Sequence, residues 1–383
     1  MEVQRITHAF ADIWIAAEER PECDYYYGGT RMVESGTPDE EVLQELRRLA
    51  ISESALKNRL INFSCKNHLA QKYADRLPSG FGESVVGGGR CIIRPRDKQT
   101  WTILRSPTHE HFRETIVSIF EDVGAYLNHK EGRIKLTPDF GRYAGLADLL
   151  AEFTPQVLGI DCAKGGCGGK SSYSSTGIIA ALHAVGRTKH KDDAITLIGS
   201  DGALGSDILQ FVCQEKFHDL AVCDLAYDAS PPSAILPETP IVFPAVNKKF
   251  TDACLRRGGT IIATTLGQEL ENSHWWLIPR GTFLFLAHNL ALPEGEKGID
   301  LARRLARQGV ETFPGQILTL GGALTSRLEW FWRQSKINTP FDKQLAHTLV
   351  KDTVQFLMAE NEKIMVEKQL SPYEAMLFIA ASI

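Results

Sequence analysis

Three glycines in the stretch "GSDGALGSD", at 199–207, have the spacing of a nucleotide-binding turn. In a G-x-G-x-x-G turn the second glycine lets a pyrophosphate approach the backbone, and the third lets the following helix pack on the preceding strand. Gly202 and Gly205 occupy these two positions, and Ser200 stands where the first glycine, which makes the tight turn, is usual. The stretch therefore predicts a dinucleotide site to which Ser200, Gly202 and Gly205 contribute.

An acidic residue follows this turn at the distance that a dinucleotide site requires. Asp224 ends the next apolar run, 19 residues after Gly205, where a carboxylate would hydrogen-bond the ribose hydroxyls. Because that carboxylate repels a 2′-phosphate, NAD is the predicted cofactor, with NADP possible. The alternative is a domain that keeps its glycines for packing and has lost the ligand, and Ser200 leaves that alternative open.

An arginine ends a run of three glycines in "VGGGRCII", at 86–93. Three successive glycines are costly to order, so we expect the backbone to approach another group very closely there. The guanidinium of Arg90 stays protonated and cannot act as a base. It can hold a carboxylate with two parallel hydrogen bonds or stabilise developing negative charge.

Other polar clusters have weaker chemical interpretations. Lys164 and Lys170 lie in a long glycine- and serine-rich loop and could bind an anion, although a mobile hinge is the favoured interpretation of the loop. Cys162 and Cys167 are too widely spaced for a usual zinc pair. The histidines of the stretch at 109–111 are two residues apart, so their side chains diverge on a helix. No metal site is predicted.

Apolar periodicity predicts the elements that position these groups. Helical spacing over 39–60 and 109–128 flanks a strand candidate at 82–95. From residue 193 short strands alternate with helices, beginning with a βαβ unit typical of a parallel doubly wound sheet. The predicted strands are 195–198, 220–224, 240–244, 260–265, 275–279 and 282–288. A long helix follows Thr339-Pro340, and a short one begins at a capping box of Ser371 and Glu374.

The chain of 383 residues is long enough for two domains. We predict an α/β protein with an N-terminal α/β domain at 1–153 and a Rossmann-like doubly wound domain at 154–328. The helices at 329–383 are expected to pack back on the first domain and complete it.

Composition and charge limit the partners. The net charge of −5 argues against nucleic acid or an anionic membrane surface as the main partner. No apolar run has membrane-spanning length, and the N-terminus does not read as a signal peptide, so we expect a cytoplasmic protein.

Five patches of the sequence resemble the glutamate/leucine/phenylalanine/valine dehydrogenase family, and most closely its leucine, phenylalanine and tryptophan branch. They are "GGTRM" at 28–32, "GGGRCII" at 87–93, "RIKLTPDF" at 133–140, "SSTGIIAALHAV" at 174–185 and "FPGQILTLGG" at 313–322. The resemblance implies that the first domain binds an amino acid and mediates oligomerisation. It also implies that the second domain binds NAD(P), and that the cleft between them closes for hydride transfer.

The resemblance also implies roles for single residues. Asp139 takes the place of the family's catalytic aspartate, although "TPDFGRYAGLADLL" also allows it to be a helix N-cap. Gly28 and Gly29 belong to the substrate motif, and Thr319 replaces the family's asparagine. On the cofactor side the implied residues are Ser174 and Asn289.

Two departures from the family concern lysines. Arg90 replaces the lysine that acts as the base, so the usual deamination mechanism has been altered or lost. The family's second lysine, which binds the substrate carboxylate, lies a dozen residues earlier. Lys57 is its equivalent if residues near 60–80 are an insertion; otherwise it is an ordinary solvated helix lysine. The catalytic candidates are therefore Asp139, Arg90 and Lys57.

Together these features predict a divergent NAD(P)-dependent oxidoreductase that acts at the Cα of an amino-acid-, keto-acid- or imine-like small molecule. We expect a role in specialised biosynthesis and a homo-oligomer, either a dimer or a higher assembly. A non-redox enzyme of imine condensation or dehydration and a catalytically silent homologue are the alternatives.

Overall fold

The structure is a computed structural model, and it describes most of the chain. The described residues are 1–140, 143, 145–189, 192–228, 241–244, 249–265, 267, 269–335 and 339–382. They form two compact units. The first comprises Met1–Lys170 and Ala323–Lys343, and the second Ser171–Gly322 and Gln344–Ile383. The predicted α/β fold class is confirmed.

Strands and helices are distributed over both units. The strands are β1 Glu2–Thr7, β2 Ala11–Ala17, β3 Tyr25–Met32, β4 Val86–Pro95, β5 Ile134–Pro138, β6 Ile195–Ile198, β7 Leu220–Asp224, β8 Ile241–Pro244, β9 Thr260–Ala263, β10 Phe283–Leu286 and β11 Glu311–Phe313. The helices are α1 Asp39–Arg47, α2 Leu56–Ser64, α3 Ala70–Lys72, α4 Lys98–Arg105, α5 Phe112–His129, α6 Leu146–Leu150, α7 Ser171–Ala184, α8 Ala203–Gln214, α9 Asp252–Arg256, α10 Glu269–Asn272, α11 Glu296–Gln308, α12 Gly315–Leu318, α13 Gly321–Ser335, α14 Lys343–Lys368 and α15 Pro372–Ala381.

The first unit is built on a mixed sheet with the order β1-β2-β4-β3-β5. β3 runs parallel to β4 and β5, and β2 runs antiparallel to β1 and β4. Side chains alternate between the two faces of the sheet. Ile13 and Ile93 pack with α4, α5 and α6 on one face, whereas Trp14 and Ile92 pack with α1 on the other. Both faces are therefore covered by helices.

The helix predicted at 39–60 is longer and less regular than expected. Helices α1, α2 and α3 are joined by two π-helical segments, Arg48–Ala55 and Cys65–Leu69. Such segments are rare and frequently occur at functional sites.

The run of three glycines serves close backbone packing. A Cβ on Gly88 would lie 2.2 Å from the carbonyl oxygen of Ala50 in the first π-helical segment. A Cβ on Gly28 would lie 1.6 Å from the carbonyl oxygen of Gly89. Side chains at these positions would force the segments apart, so the close approach expected from the sequence is made with the protein's own backbone.

The second unit contains a parallel sheet with the order β11-β10-β9-β6-β7-β8. If β6 to β11 are renumbered 1 to 6, the order is 6-5-4-1-2-3, which is that of a dinucleotide-binding Rossmann fold. The order reverses between β6 and β9, and ligands of such sheets bind beyond the carboxyl ends of the strands at this position. The prediction of a Rossmann-like domain is confirmed.

Two sequence predictions differ from the structure. Residues 275–279 are not a strand, because Trp275–Leu277 forms a short 3₁₀ turn and Trp276 is 57% exposed. The aromatic residues favour a strand, but Pro279 cannot donate a hydrogen bond to a sheet. The C-terminal helices pack on the second unit instead of the first from Gln344 onward.

Helix α15 shows why the last helices belong to the second unit. Arg303 of α11 donates a 2.6 Å hydrogen bond to Glu374, and the Tyr373 ring packs against Gly298 of the same helix. The predicted capping box of Ser371 and Glu374 is confirmed. No described helix is long and apolar enough to cross a membrane.

Candidate active site

Two charged side chains converge over Gly29 in the first unit. A Cβ on Gly29 would lie 2.8 Å from Nη1 of Arg90 and 2.9 Å from Oδ1 of Asp139. Because both atoms are so near one point, the guanidinium and the carboxylate lie within about 6 Å of each other.

Strand register brings these residues together. Gly29 pairs with Thr137 of β5, and Asp139 follows that strand. Arg90 lies on the same face of β4 as Gly88, which packs against the π-helical segment Arg48–Ala55. Helix α6 begins at Leu146 with Gly145 as its N-cap, so Asp139 is not the N-cap of this helix.

Arg90 has hydrogen-bonding capacity to spare. Its Nε is buried and has no hydrogen-bond partner among the described residues. Leaving a buried donor unpaired is costly, and a ligand that accepts from it would remove that cost. The guanidinium therefore fits an anion.

Lys57 is not a solvated helix lysine. It is only 9% exposed and forms an ion pair with Glu53, which is also buried. The next residue, Asn58, donates hydrogen bonds to the carbonyl oxygens of Tyr27 in β3 and Gly87 in β4. Arg59 forms an ion pair with Glu18, the residue that follows β2. Because successive helix residues are about 100° apart, Lys57 and Arg59 lie on different sides of α2.

The sequence did not single out two hydroxyl groups that hold a further lysine beside these residues. Lys170 donates to the hydroxyl of Tyr27 at 2.6 Å and also to Oγ1 of Thr137. Burial alone would lower the pKa of Lys170. The interactions with Tyr27 and with the Asp139 carboxylate raise it, and together they outweigh burial, so the net shift of the pKa is upward. Lys170 is therefore a stable cation and not a base.

A second buried lysine lies two residues before Thr137. Lys135 is 3% exposed, and its Nζ lies 3.8 Å from the ring centre of Trp330 and 4.4 Å from that of Tyr25. It donates to the carbonyl oxygen of Gly132 at 2.5 Å. Burial lowers the pKa of Lys135 to about 7, although the two ring faces favour its charged form.

Replacing Lys135 with methionine should remove a pH dependence of stability. Between about pH 7 and the ordinary lysine pKa the unfolded chain binds more protons, so the free energy of unfolding of the native protein should rise with pH. From pH 7 to pH 9 the expected gain is about 2 kcal/mol. Urea unfolding at several pH values should show this gain in the native protein and not in Lys135→Met.

The exposed Lys98 provides the control for that measurement. Lys98→Met should keep the pH dependence of the native protein. An equal pH dependence in Lys135→Met would show that Lys135 does not titrate in this range.

In the second unit the tight turn after β6 is made by Gly199. Gly199 has φ +84°, which favours glycine, and its carbonyl oxygen accepts a 2.9 Å hydrogen bond from Thr264. The assignment of this turn to Ser200 is therefore corrected, because Ser200 is buried and bonds Tyr227 at 2.8 Å. The fingerprint reads G-x-x-G-x-x-G, with one extra residue between the first two glycines.

Gly205 and Asp224, the other residues predicted for this site, both contact backbone atoms near the turn. A Cβ on Gly205 would lie 1.9 Å from the carbonyl oxygen of Gly199, so this glycine is required for helix packing. Asp224 accepts from the amides of Asp201 at 2.9 Å and Ala226 at 3.0 Å. A carboxylate has about four acceptor positions, so about two remain for ribose hydroxyls.

The other predicted residues of the second unit lie elsewhere in it. Thr319 is buried and donates to the carbonyl oxygen of Gly315 at 2.6 Å. Ser174 is half-buried on α7, and its amide nitrogen would lie 3.0 Å from a Cβ on Gly321. The segments of Ser174 and Thr319 are therefore neighbours. Asn289 follows β10, at the carboxyl end of the sheet.

Solved structures of several dehydrogenases superpose on the whole chain. The L-tryptophan dehydrogenase of Nostoc punctiforme has a TM-score of 0.63 at 15% identity, covering 100% of this chain and 94% of that enzyme. The hetero-hexameric glutamate dehydrogenase of Thermus thermophilus has a TM-score of 0.67 at 14% identity, covering 99% and 87%. The glutamate dehydrogenase of Peptoniphilus asaccharolyticus has a TM-score of 0.61 at 14% identity, covering 99% and 88%.

The chain has the amino acid dehydrogenase fold. Tryptophan and glutamate dehydrogenases superpose about equally well, so the fold does not select a branch. No protein-family model and no curated protein matches the sequence.

Proposed function

We propose that this protein is an NAD(P)-dependent oxidoreductase that acts at the Cα of an amino-acid-, 2-oxo-acid- or imine-like substrate. The convergence of Arg90 and Asp139 over Gly29 carries this proposal. The guanidinium of Arg90 can bind the carboxylate of a substrate, and the carboxylate of Asp139 can exchange a proton with it.

The roles of these residues follow from their chemistry. Arg90 presents a planar fork that matches a carboxylate and stays charged at any physiological pH. Asp139 orients an ammonium or imine group and passes its proton. Lys57, already paired with Glu53, supports the carboxylate end of the substrate.

The second unit fits a dinucleotide. The N-terminal amides of α8 follow its N-cap Gly202, which has no side chain to cap them, so they can donate hydrogen bonds to a pyrophosphate. Gly202 has open space on its Cβ side, where the nearest atom would be 3.5 Å away. Asp224 favours NAD over NADP. When bound, the nicotinamide supplies the hydride acceptor or donor.

The absence of a lysine at Arg90 bears on the direction of the reaction. Oxidative deamination needs a base that activates water, and a guanidinium cannot be that base. We therefore propose that the protein reduces a preformed imine, which requires no activation of water, in a specialised biosynthetic step. Robust deamination of leucine or phenylalanine by the pure protein would contradict this.

We further propose a cytoplasmic homo-oligomer. All eight cysteines are free thiols, and six of them are buried, as suits a reducing compartment. The similar Thermus thermophilus enzyme is hetero-hexameric. Light scattering of the pure protein should give at least twice the chain mass of 42.5 kDa.

Calorimetric titration of NADH and then NADPH into the full-length protein tests the proposed function. We expect NADH to bind more tightly than NADPH, and its hydride to be transferred to a preformed imine or a 2-oxo acid when one is added. If the folded protein binds neither dinucleotide, the oxidoreductase proposal is wrong.

A non-redox enzyme of imine condensation or dehydration is the second candidate. One observation favours it: Asp201, which is exposed, lies inside the glycine turn, and a carboxylate there weakens phosphate binding. Turnover of an imine-type substrate without any dinucleotide binding would support this candidate over the first.

A further inference from the structure

Lys170 adds a second cation to the site in the first unit. Its ammonium donates to Tyr27 of β3 and Thr137 of β5. Thr137 pairs directly with Gly29, over which Arg90 and Asp139 converge. Lys57 is paired with Glu53, whereas Arg90 and Lys170 both interact with the carboxylate of Asp139. The site therefore favours an anionic ligand.

The position of the Lys170 ammonium is fixed by the surrounding hydroxyls. Tyr27 accepts from Lys170 and donates to Oγ of Ser326 at 2.8 Å. An ammonium has three N–H donors, and two of them are taken by Tyr27 and Thr137. The described residues provide no acceptor for the third, which is open to a single ligand atom.

The two cations suit different oxygens of one ligand. Arginine's planar fork matches the two oxygens of a carboxylate, whereas a lysine with one open N–H matches a single oxygen. A 2-oxo carboxylate carries both groups on adjacent carbons. When any nucleophile adds to C2, negative charge develops on the 2-oxo oxygen, and a preorganised cation stabilises it.

We propose that Lys170 is a further catalytic residue that binds the 2-oxo oxygen of a 2-oxo carboxylate, while Arg90 binds its carboxylate. This inference rests on the proposed function and names the substrate class of that same site. It replaces the interpretation of the loop at Lys170 as a mobile hinge.

Matched ligands separate the two cations. Phenylpyruvate and 3-phenylpropanoate differ only in the 2-oxo oxygen, and both are titrated calorimetrically into the full-length protein. The native protein should bind phenylpyruvate at least about tenfold more tightly. Lys170→Met should remove the preference for phenylpyruvate, and should weaken the binding of phenylpyruvate much more than that of 3-phenylpropanoate. Arg90→Gln should weaken both ligands.

Lys164 supplies the control variant, because it lies in the same loop but is exposed and pairs with Asp148 at 3.2 Å. Lys164→Met should bind both ligands as the native protein does. If Lys170→Met does not fold, Lys170→Gln replaces it, because glutamine carries no charge but can still hydrogen-bond the two hydroxyls. The ratio of its affinities for phenylpyruvate and 3-phenylpropanoate then tests the role of Lys170.

The possible failures are distinguishable. A native protein that binds phenylpyruvate no better than 3-phenylpropanoate, or a Lys170→Met that weakens both ligands equally, overturns the role of Lys170 and leaves the proposed function standing. A matched aliphatic pair, 4-methyl-2-oxopentanoate and 4-methylpentanoate, is titrated in the same way. If the native protein binds NADH but none of these four acids, the proposed substrate class is wrong, and this inference is wrong with it.

Discussion

Replacing Gly29 with alanine is expected to reduce kcat/KM by at least about 100-fold while leaving the protein folded. The new Cβ would lie 2.8 Å from Nη1 of Arg90 and 2.9 Å from Oδ1 of Asp139. Both atoms are the far ends of flexible side chains, so they can move aside without disturbing the sheet. That movement would destroy the arrangement that binds and protonates the substrate. Steady-state kinetics and urea unfolding together test this expectation.

Gly36 is a suitable control, since a Cβ there would have no atom within 4 Å. Gly36→Ala should change neither activity nor stability. Gly28→Ala is not a useful comparison, because its Cβ would meet the backbone of Gly89 at 1.6 Å and disrupt the pairing of β3 with β4. Native activity in Gly29→Ala would show that Arg90 and Asp139 do not act at this position.

The Rossmann-like domain was predictable because its signals are local. Short apolar strands separated by glycine turns and amphipathic helices predict a parallel sheet, and β6 and β7 have the predicted bounds. The error at Ser200 has a physical cause. Spacing alone aligns the last two glycines, whereas the tight turn is made by the residue with positive φ, which is Gly199.

The first unit was harder to predict because its site depends on long-range contacts. Lys170 lies 143 residues from Tyr27 and 33 from Thr137, and no spacing rule links them. The burial of Lys57 could not be predicted from the sequence either, because a lysine on a helix is usually solvated. The resemblance to amino acid dehydrogenases singled out Gly29, Arg90 and Asp139, which the structure brings together.

The C-terminal helices show a different limit. Periodicity locates α14 and α15, and the capping box fixes the start of α15. Neither signal states which surface the apolar face of a helix will cover. That choice depends on partners such as Arg303 of α11, which pairs with Glu374 and is remote in the sequence.

Two glycines of the turn after β6 should respond differently to alanine. Gly202 has φ −67° and ψ 159°, which alanine adopts easily, and its Cβ would meet no atom closer than 3.5 Å. Gly202→Ala should therefore keep native stability and lose NADH affinity by about tenfold or more, because its methyl group occupies the space that a pyrophosphate approaches. Calorimetry and urea unfolding measure the two effects separately.

Gly205→Ala should instead lose stability as well as NADH affinity. Its Cβ would lie 1.9 Å from the carbonyl oxygen of Gly199 and 2.8 Å from Cα of Ser200, and these backbone atoms cannot move without displacing α8 from the sheet. Overpacking of this kind costs about 1–3 kcal/mol. Gly36→Ala should bind NADH as the native protein does. If Gly202→Ala also binds NADH with native affinity, the dinucleotide does not lie on this turn, and the glycines serve packing alone.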